Sequence, residues 1–264
     1  MDALLGVGVL VTRPEQQATP LCRLLAAEGA ACIRFPALEI KPLTLERGPQ
    51  WRAQLARLGS LERFDWIVFM SANAVRFGAP LLEEKRDLKL AAVGPATARA
   101  LNQAGYRVAV VPAEGFDSEG LLADARLQSL EGRRVLLVKG SGGRELLAAT
   151  LTQRGALVEQ AEVYERVPAA PSGAALAALE RQFAAGKIQV VTATSAEIGA
   201  SLLRMATPVL REAFERSHWL VPSARVAESL VNLGLAAALI EAKSAEDQEL
   251  VAALVRWRSS ASGA

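Results

Sequence analysis

Histidine is almost missing from this chain: His218 is the only one in 264 residues. A Ser-His-Asp or Cys-His system would have to be built on that single base. It precedes the apolar run Trp219-Leu-Val and reads as a structural or surface position. The net charge is only +2, no Lys/Arg block is longer than two residues, and aromatics make up 5%. Neither a phosphate-tracking stripe nor a base-stacking surface can be assembled from that, which excludes nucleic acid as the partner. No stretch approaches the roughly 18 apolar residues of a membrane span, and no basic segment leads into a long apolar run. A soluble, cytoplasmic protein with no membrane partner is expected. The only cysteines, Cys22 and Cys32, make neither a zinc site nor a C-x-x-C pair and are expected to be ordinary buried thiols. Paired carboxylates, metal-ligand spacings and nucleophile–base pairs do not stand out either.

What the chain does have is a repeat. Gly8-Val-Leu-Val-Thr-Arg-Pro, followed by a helix ending at Gly29, returns as Arg134-Val-Leu-Leu-Val-Lys-Gly-Ser-Gly-Gly with a helix ending at Gly155. Ile67-Val-Phe-Met-Ser-Ala-Asn is echoed by Val190-Val-Thr-Ala-Thr-Ser-Ala-Glu, and Leu90-Ala-Ala-Val-Gly-Pro by Trp219-Leu-Val-Pro-Ser. The offsets are 126 (Gly29 to Gly155), 124 (Ser71 to Ser195) and 129 (Gly105 to Gly234). Near-constant spacing over three blocks implies two related βα halves.

Unbroken apolar runs alternate with amphipathic stretches, the pattern of strands covered on both faces in a parallel α/β sheet. Strands are expected at Val7–Val11, Ala31–Phe35, Trp66–Met70, Leu90–Val93, Val108–Val111, Val135–Val138, Leu157–Ala161, Gln189–Thr192, Trp219–Val221 and Ala238–Ile240. Helices between them stop at Gly29, Gly105, Gly155 and Gly234, the residue suited to a left-handed cap. Ser118 and Ser172 read as N-caps. Pro36–Pro42 and Glu162–Pro168 break the rhythm, occupy equivalent places in the two copies and are extended by their prolines. They read as two domain crossings paired in a short ribbon. The expected domains are 1–35 with 169–264, discontinuous, and 43–160, inserted, linked by 36–42 and 161–168. A tandem split near residue 130 is the plainer alternative.

In open parallel sheets, ligands bind beyond the carboxyl ends of the strands, where helix N-termini favour anions. Small polar residues gather at those junctions: Thr12 and Arg13, Ser71 and Asn73, Gly94 and Thr97, Gly140 to Arg144 (with Gly142 and Gly143), Thr194 and Ser195, and Ser223. Each could be a tight turn with a helix cap; together they suggest an anion-binding edge. The glycines let backbone approach a ligand and Arg144 adds a formal charge. The pattern is neither G-x-G-x-x-G nor the P-loop, which speaks against a nucleotide enzyme. With so little acid–base machinery, catalysis would rest on holding a reactive anion in one shape.

At this point the chain resembles the uroporphyrinogen-III synthase family. The resemblance rests on Val9-Leu-Val-Thr-Arg-Pro, Phe69-Met-Ser-Ala-Asn-Ala-Val, Ala92-Val-Gly-Pro-Ala-Thr-Ala-Arg-Ala-Leu, Val138-Lys-Gly-Ser-Gly-Gly-Arg-Glu and Val163-Tyr-Glu-Arg, in that order. It implies two flavodoxin-like α/β domains joined by a two-stranded ribbon, with the active site in the cleft between them. The implied reaction closes the linear tetrapyrrole hydroxymethylbilane to uroporphyrinogen III, losing water and inverting the terminal ring through an azafulvene and a spiro intermediate. The resemblance implies no cofactor or metal, a polycarboxylate tetrapyrrole substrate, a monomer, and at most transient contact with the upstream bilane-forming enzyme. Tyr164 matches the family tyrosine that assists hydroxyl departure; a hinge-packing role is the alternative. Lys139 stands where the family usually has Arg, and Met70 replaces a small hydroxyl residue. A non-catalytic, hinged anion-binding protein is the competing expectation.

Overall fold

The computed structural model describes residues 2–43, 61–82, 88–113, 115, 117–143 and 145–262. The strands among them are β1 (Gly8–Val11), β2 (Ala31–Arg34), β3 (Leu38–Pro42), β4 (Trp66–Phe69), β5 (Leu90–Ala92), β6 (Val108–Val110), β7 (Arg134–Gly140), β8 (Leu157–Pro168), β9 (Val190–Thr192), β10 (His218–Val221) and β11 (Ala238–Glu241). All ten apolar runs form strands, as their lack of alternation implies. The chain divides into two compact units, Met1–Glu39 with Val167–Ala264, and Ile40–Arg166.

The first unit is a five-stranded sheet in the order β2-β1-β9-β10-β11, with every pairing parallel. In the second, β8-β7-β4-β5-β6 are parallel neighbours, and β3 pairs with the outer side of β8. Matching the strands by the sequence repeat (β1 with β7, β9 with β4, β10 with β5) gives the same spatial order in both units. Only the entry point differs, so the second unit is a circular permutation of the first. The first has the doubly wound 2-1-3-4-5 order.

Each sheet feeds a core on either face, and strand alternation sorts the side chains between them. Val9 and Val11 enter one core of the first unit and Leu10 the other. Ile67 and Phe69 enter one core of the second unit, Trp66 and Val68 the other. Flanking helices close both faces, and Gly29, Gly105, Gly155 and Gly234 all take positive φ after their helices.

β3 and β8 run antiparallel. The Ala169 N–H bonds the Ala37 carbonyl at 3.0 Å and the Leu43 N–H bonds the Val163 carbonyl at 3.1 Å. The extended stretch Glu162–Pro168 is therefore continuous with the strand expected at Leu157–Ala161.

Two expectations need correction. Ser118 is the first helical residue rather than the cap; Asp117 caps, its carboxylate accepting the Gly120 N–H at 2.8 Å. Ser172 does cap, accepting from Ala175 at 3.2 Å. Cys22 and Cys32 are joined in a disulfide rather than being free thiols. The helix Glu15–Ala27 packs on the sheet so that buried Cys22 meets Cys32 on β2, bringing their Cα atoms to 5.8 Å, within the range a bridge requires.

Candidate active site

Parallel strands put all their carboxyl ends on one edge of a sheet. In the second unit that edge carries Ser71 and Asn73 after β4, Gly94 and Thr97 after β5, Lys139 and Gly140 at the end of β7, and Gly142 and Gly143 just after it. Neighbouring β8 adds Tyr164. In the first unit it carries Thr12 and Arg13 after β1, Thr194 and Ser195 after β9, and Ser223 after β10. Both sets flank the position where the strand order reverses, the place such sheets bind ligands.

Tyr164 is aimed by a bulge. Lys139 pairs with Glu162 but Gly140 pairs with Tyr164, so Val163 is extra on β8. A bulge turns the following side chain onto the face it would otherwise leave. Consecutive Val163 and Tyr164 accordingly both enter the core that contains Phe69 and Val138. The Ser141 N–H closes the bulge on the Tyr164 carbonyl at 2.7 Å. The ring is 5% exposed and lies 6.0 Å, centroid to centroid, from Phe77. Its hydroxyl is 3.1 Å from Ser71 Oγ, and Ser71 caps the helix Ala72–Gly78 by accepting the Ala74 N–H at 3.0 Å.

Lys139, the residue before Gly140 on β7, is also buried. Its ammonium donates to Glu145 Oε1 at 3.1 Å and Gln160 Oε1 at 3.0 Å, while the Gln160 amide donates to Glu145 Oε2 at 2.9 Å. The Gln160 amide first, and then Lys139, hold the Glu145 carboxyl below the usual carboxylate range. Gly142 and Gly143 are exposed at φ +70° and +94°, backbone that side chains rarely adopt. The Gly142 N–H donates to Glu162 at 3.1 Å. Asn73 and Gly94 are half-buried and Thr97 is buried. Arg144 lies outside the described residues.

In the first unit the junctions are more tightly committed. Thr12 is fully buried; its N–H donates to Thr192 Oγ1 at 3.2 Å and its hydroxyl donates to the Thr192 carbonyl. The Thr192 hydroxyl returns to the Leu10 carbonyl at 3.1 Å. Arg13, 9% exposed, donates from Nε to Thr194 Oγ1 at 3.3 Å and from its two terminal nitrogens to the Asp247 carboxylate and the Ala245 carbonyl. Its charge therefore ties β1 to the start of the last helix. Ser195 caps its helix by accepting from Ile198 at 3.2 Å, whereas Ser223 begins its helix without a side-chain cap bond. Thr194, Ser195 and Ser223 are half-buried.

Among the described residues, no cluster of three or more His, Cys, Asp or Glu is placed to hold a metal ion, and no helix is long and apolar enough to cross a membrane. His218 packs its ring 4.8 Å from that of Trp257. Sequence reasoning missed the partners that occupy these groups: Thr192, Asp247, Glu145 and Gln160. It missed the bulge too, although the adjacent apolar pair Val163-Tyr164 interrupts the strand's alternation.

Comparison with known proteins is consistent across sequence and structure. The family model described as Uroporphyrinogen-III synthase HemD matches residues 20–252. The uroporphyrinogen-III synthase of Escherichia coli (strain K12) is 33% identical over 220 residues, covering 81% of this chain and 84% of that protein. That of Proteus mirabilis is 34% identical over 61% of this chain and 81% of the relative. The crystal structure of a mutant uroporphyrinogen III synthase from the extremely thermophilic bacterium Thermus thermophilus superposes with a TM-score of 0.58 at 20% identity, covering 98% of this chain and 100% of the other. The Helicobacter pylori 26695 uroporphyrinogen-III synthetase gives 0.59 at 17% identity, covering 95% and 99%. At these identities the structures speak for the fold, and the sequence matches speak for the family. The chain belongs to the uroporphyrinogen-III synthase family.

Proposed function

We propose that this chain closes hydroxymethylbilane to uroporphyrinogen III, and that Tyr164 supplies the proton on which the substrate's hydroxyl leaves. Family membership carries the reaction. The placement of Tyr164 on the carboxyl edge of its sheet, hydrogen-bonded to Ser71, supports the residue's role. In the first step the C–O bond breaks and its electron pair stays with oxygen. The phenol proton completes a water molecule, and the pyrrole nitrogen lone pair fills the vacancy, giving an azafulvenium cation and a phenolate. Attack on the methylene carbon of that cation by the substituted carbon of the terminal pyrrole gives the spiro intermediate whose rearrangement inverts the terminal ring. The enzyme's task is to favour this attack over direct closure, which is a matter of positioning.

A polycarboxylate needs donors that are not already engaged. The half-exposed groups Asn73, Gly94, Thr194, Ser195 and Ser223, and the exposed backbone of Gly143, suit this role. Each helix start beside them presents N–H groups and roughly half a positive charge. Thr12, Arg13, Thr97 and Lys139 are better placed to hold that framework in position, being buried or turned to partners within their own unit. Arg144 retains the role of a charged carboxylate contact suggested by its place in the sequence.

The test is product identity. Incubated with hydroxymethylbilane, the protein should yield the III isomer faster than the bilane closes spontaneously. Accumulation of the I isomer alone would leave the non-catalytic anion-binding reading in its place.

A further inference from the structure

Tyr164 is 95% shielded, yet the proton it is to give up must reach a substrate outside the core. Ser71 sits on the same carboxyl edge, at the start of the helix Ala72–Gly78. It is half-exposed, and its Oγ is 3.1 Å from Tyr164 Oη. A serine hydroxyl accepts two hydrogen bonds and donates one. One acceptor position is occupied by the Ala74 N–H at 3.0 Å. If Tyr164 donates into the second, the only group left on Ser71 is its own proton, and that proton is directed away from both partners.

We infer that Ser71 is the group that touches the substrate's leaving hydroxyl and relays the Tyr164 proton to it. The inference rests on the proton-donor role proposed above for Tyr164. In the step, the Ser71 O–H proton passes to the departing oxygen as the C–O bond breaks, and the Tyr164 proton moves to Ser71 Oγ. Serine ends neutral, tyrosine ends as phenolate, and the products are water and the azafulvenium cation. The Ala74 N–H holds Ser71 Oγ in place throughout. Gly140 leaves room for the phenol and Phe77 backs its ring, so both ends of the relay are fixed by packing.

The experiment is a double-mutant cycle on the full chain, with kcat and KM measured separately for Ser71→Gly, Tyr164→Phe, the double variant and Ser71→Thr. Glycine is tolerated at an N-cap far better than alanine, so Ser71→Gly removes the hydroxyl while sparing the helix, and thermal melting checks that the fold is kept. A relay predicts that Ser71→Gly and Tyr164→Phe each lower kcat by about 100-fold, in the range of a lost general acid. It also predicts that KM moves less than about threefold, that the double variant is no slower than either single one, and that Ser71→Thr recovers most of kcat. Multiplicative losses would overturn the relay, as would a normal kcat for Ser71→Gly beside a slow Tyr164→Phe, or a threonine variant as slow as glycine. A normal kcat for Tyr164→Phe would instead remove the proton-donor role itself, and the relay with it.

Discussion

Gly140 faces Tyr164 across β7 and β8, and the tyrosine ring occupies the space a side chain at Gly140 would fill. A Cβ placed there would lie 2.5 Å from Tyr164 Cζ and 2.9 Å from its hydroxyl. Both residues sit at the register shift that ends the β7–β8 ladder. The conformation of Gly140 itself is not what demands glycine; the ring beside it is.

Gly140→Ala should therefore act through Tyr164. Overpacking of this kind destabilises by about 1–3 kcal/mol, and here the ring must shift away from Ser71. The expected result is a fall in kcat larger than the loss of stability explains, with KM little changed. A variant as active as the parent would show that the tyrosine's position is not critical.

Arg13 offers a test of framework against ligand binding. Its guanidinium fork serves Thr194, Ala245 and Asp247 at once. Lysine keeps the charge but not the fork. Arg13→Lys should lower stability to urea by about 1–2 kcal/mol and raise KM only slightly. Unchanged stability with a large rise in KM would return Arg13 to direct substrate binding.

The Cys22–Cys32 bridge is open to thiol counting. Denatured without reductant, the protein should show no free thiol. Reduction should lower unfolding stability by about 2–3 kcal/mol, the loop-entropy expectation for a separation of 10 residues. Two thiols per unreduced chain would restore the free-cysteine reading.

Asp65 should give the second unit an acid-sensitive contribution. Its carboxylate accepts the Arg134 N–H at 2.9 Å and the Arg133 guanidinium at 2.8 Å. The Arg134 N–H is the main cause, with Arg133 assisting against partial burial, that holds the carboxyl below its ordinary value of 3.8. The folded state thus binds the proton less readily than the unfolded one. The stabilisation is full above 3.8 and is lost as pH falls through the lower folded value. Asp65→Asn should be less stable than the parent by about 1 kcal/mol at neutral pH, and the gap should close as urea midpoints are taken down into acid. A gap independent of pH would mean that the carboxylate's charge contributes nothing.

Sequence alone determined what is local or periodic. Unbroken apolar runs marked the strands, glycines marked where helices stop, and the repeat of β1 in β7, β9 in β4 and β10 in β5 marked which strand ends are equivalent. Because parallel strands share one carboxyl edge, that was enough to bring Ser71, Asn73, Gly140, Thr194 and Ser223 to the correct edges of their sheets. Tertiary structure decided what those residues do there, since their partners are remote in the chain. Arg13 meets Asp247 across 234 positions and Ser71 meets Tyr164 across 93. No local pattern encodes those meetings; they depend on strand order and on one extra residue in β8. Burial then separates groups of the same residue type, enclosing Thr12 in a hydroxyl network while leaving Thr194 half-exposed at the neighbouring strand end.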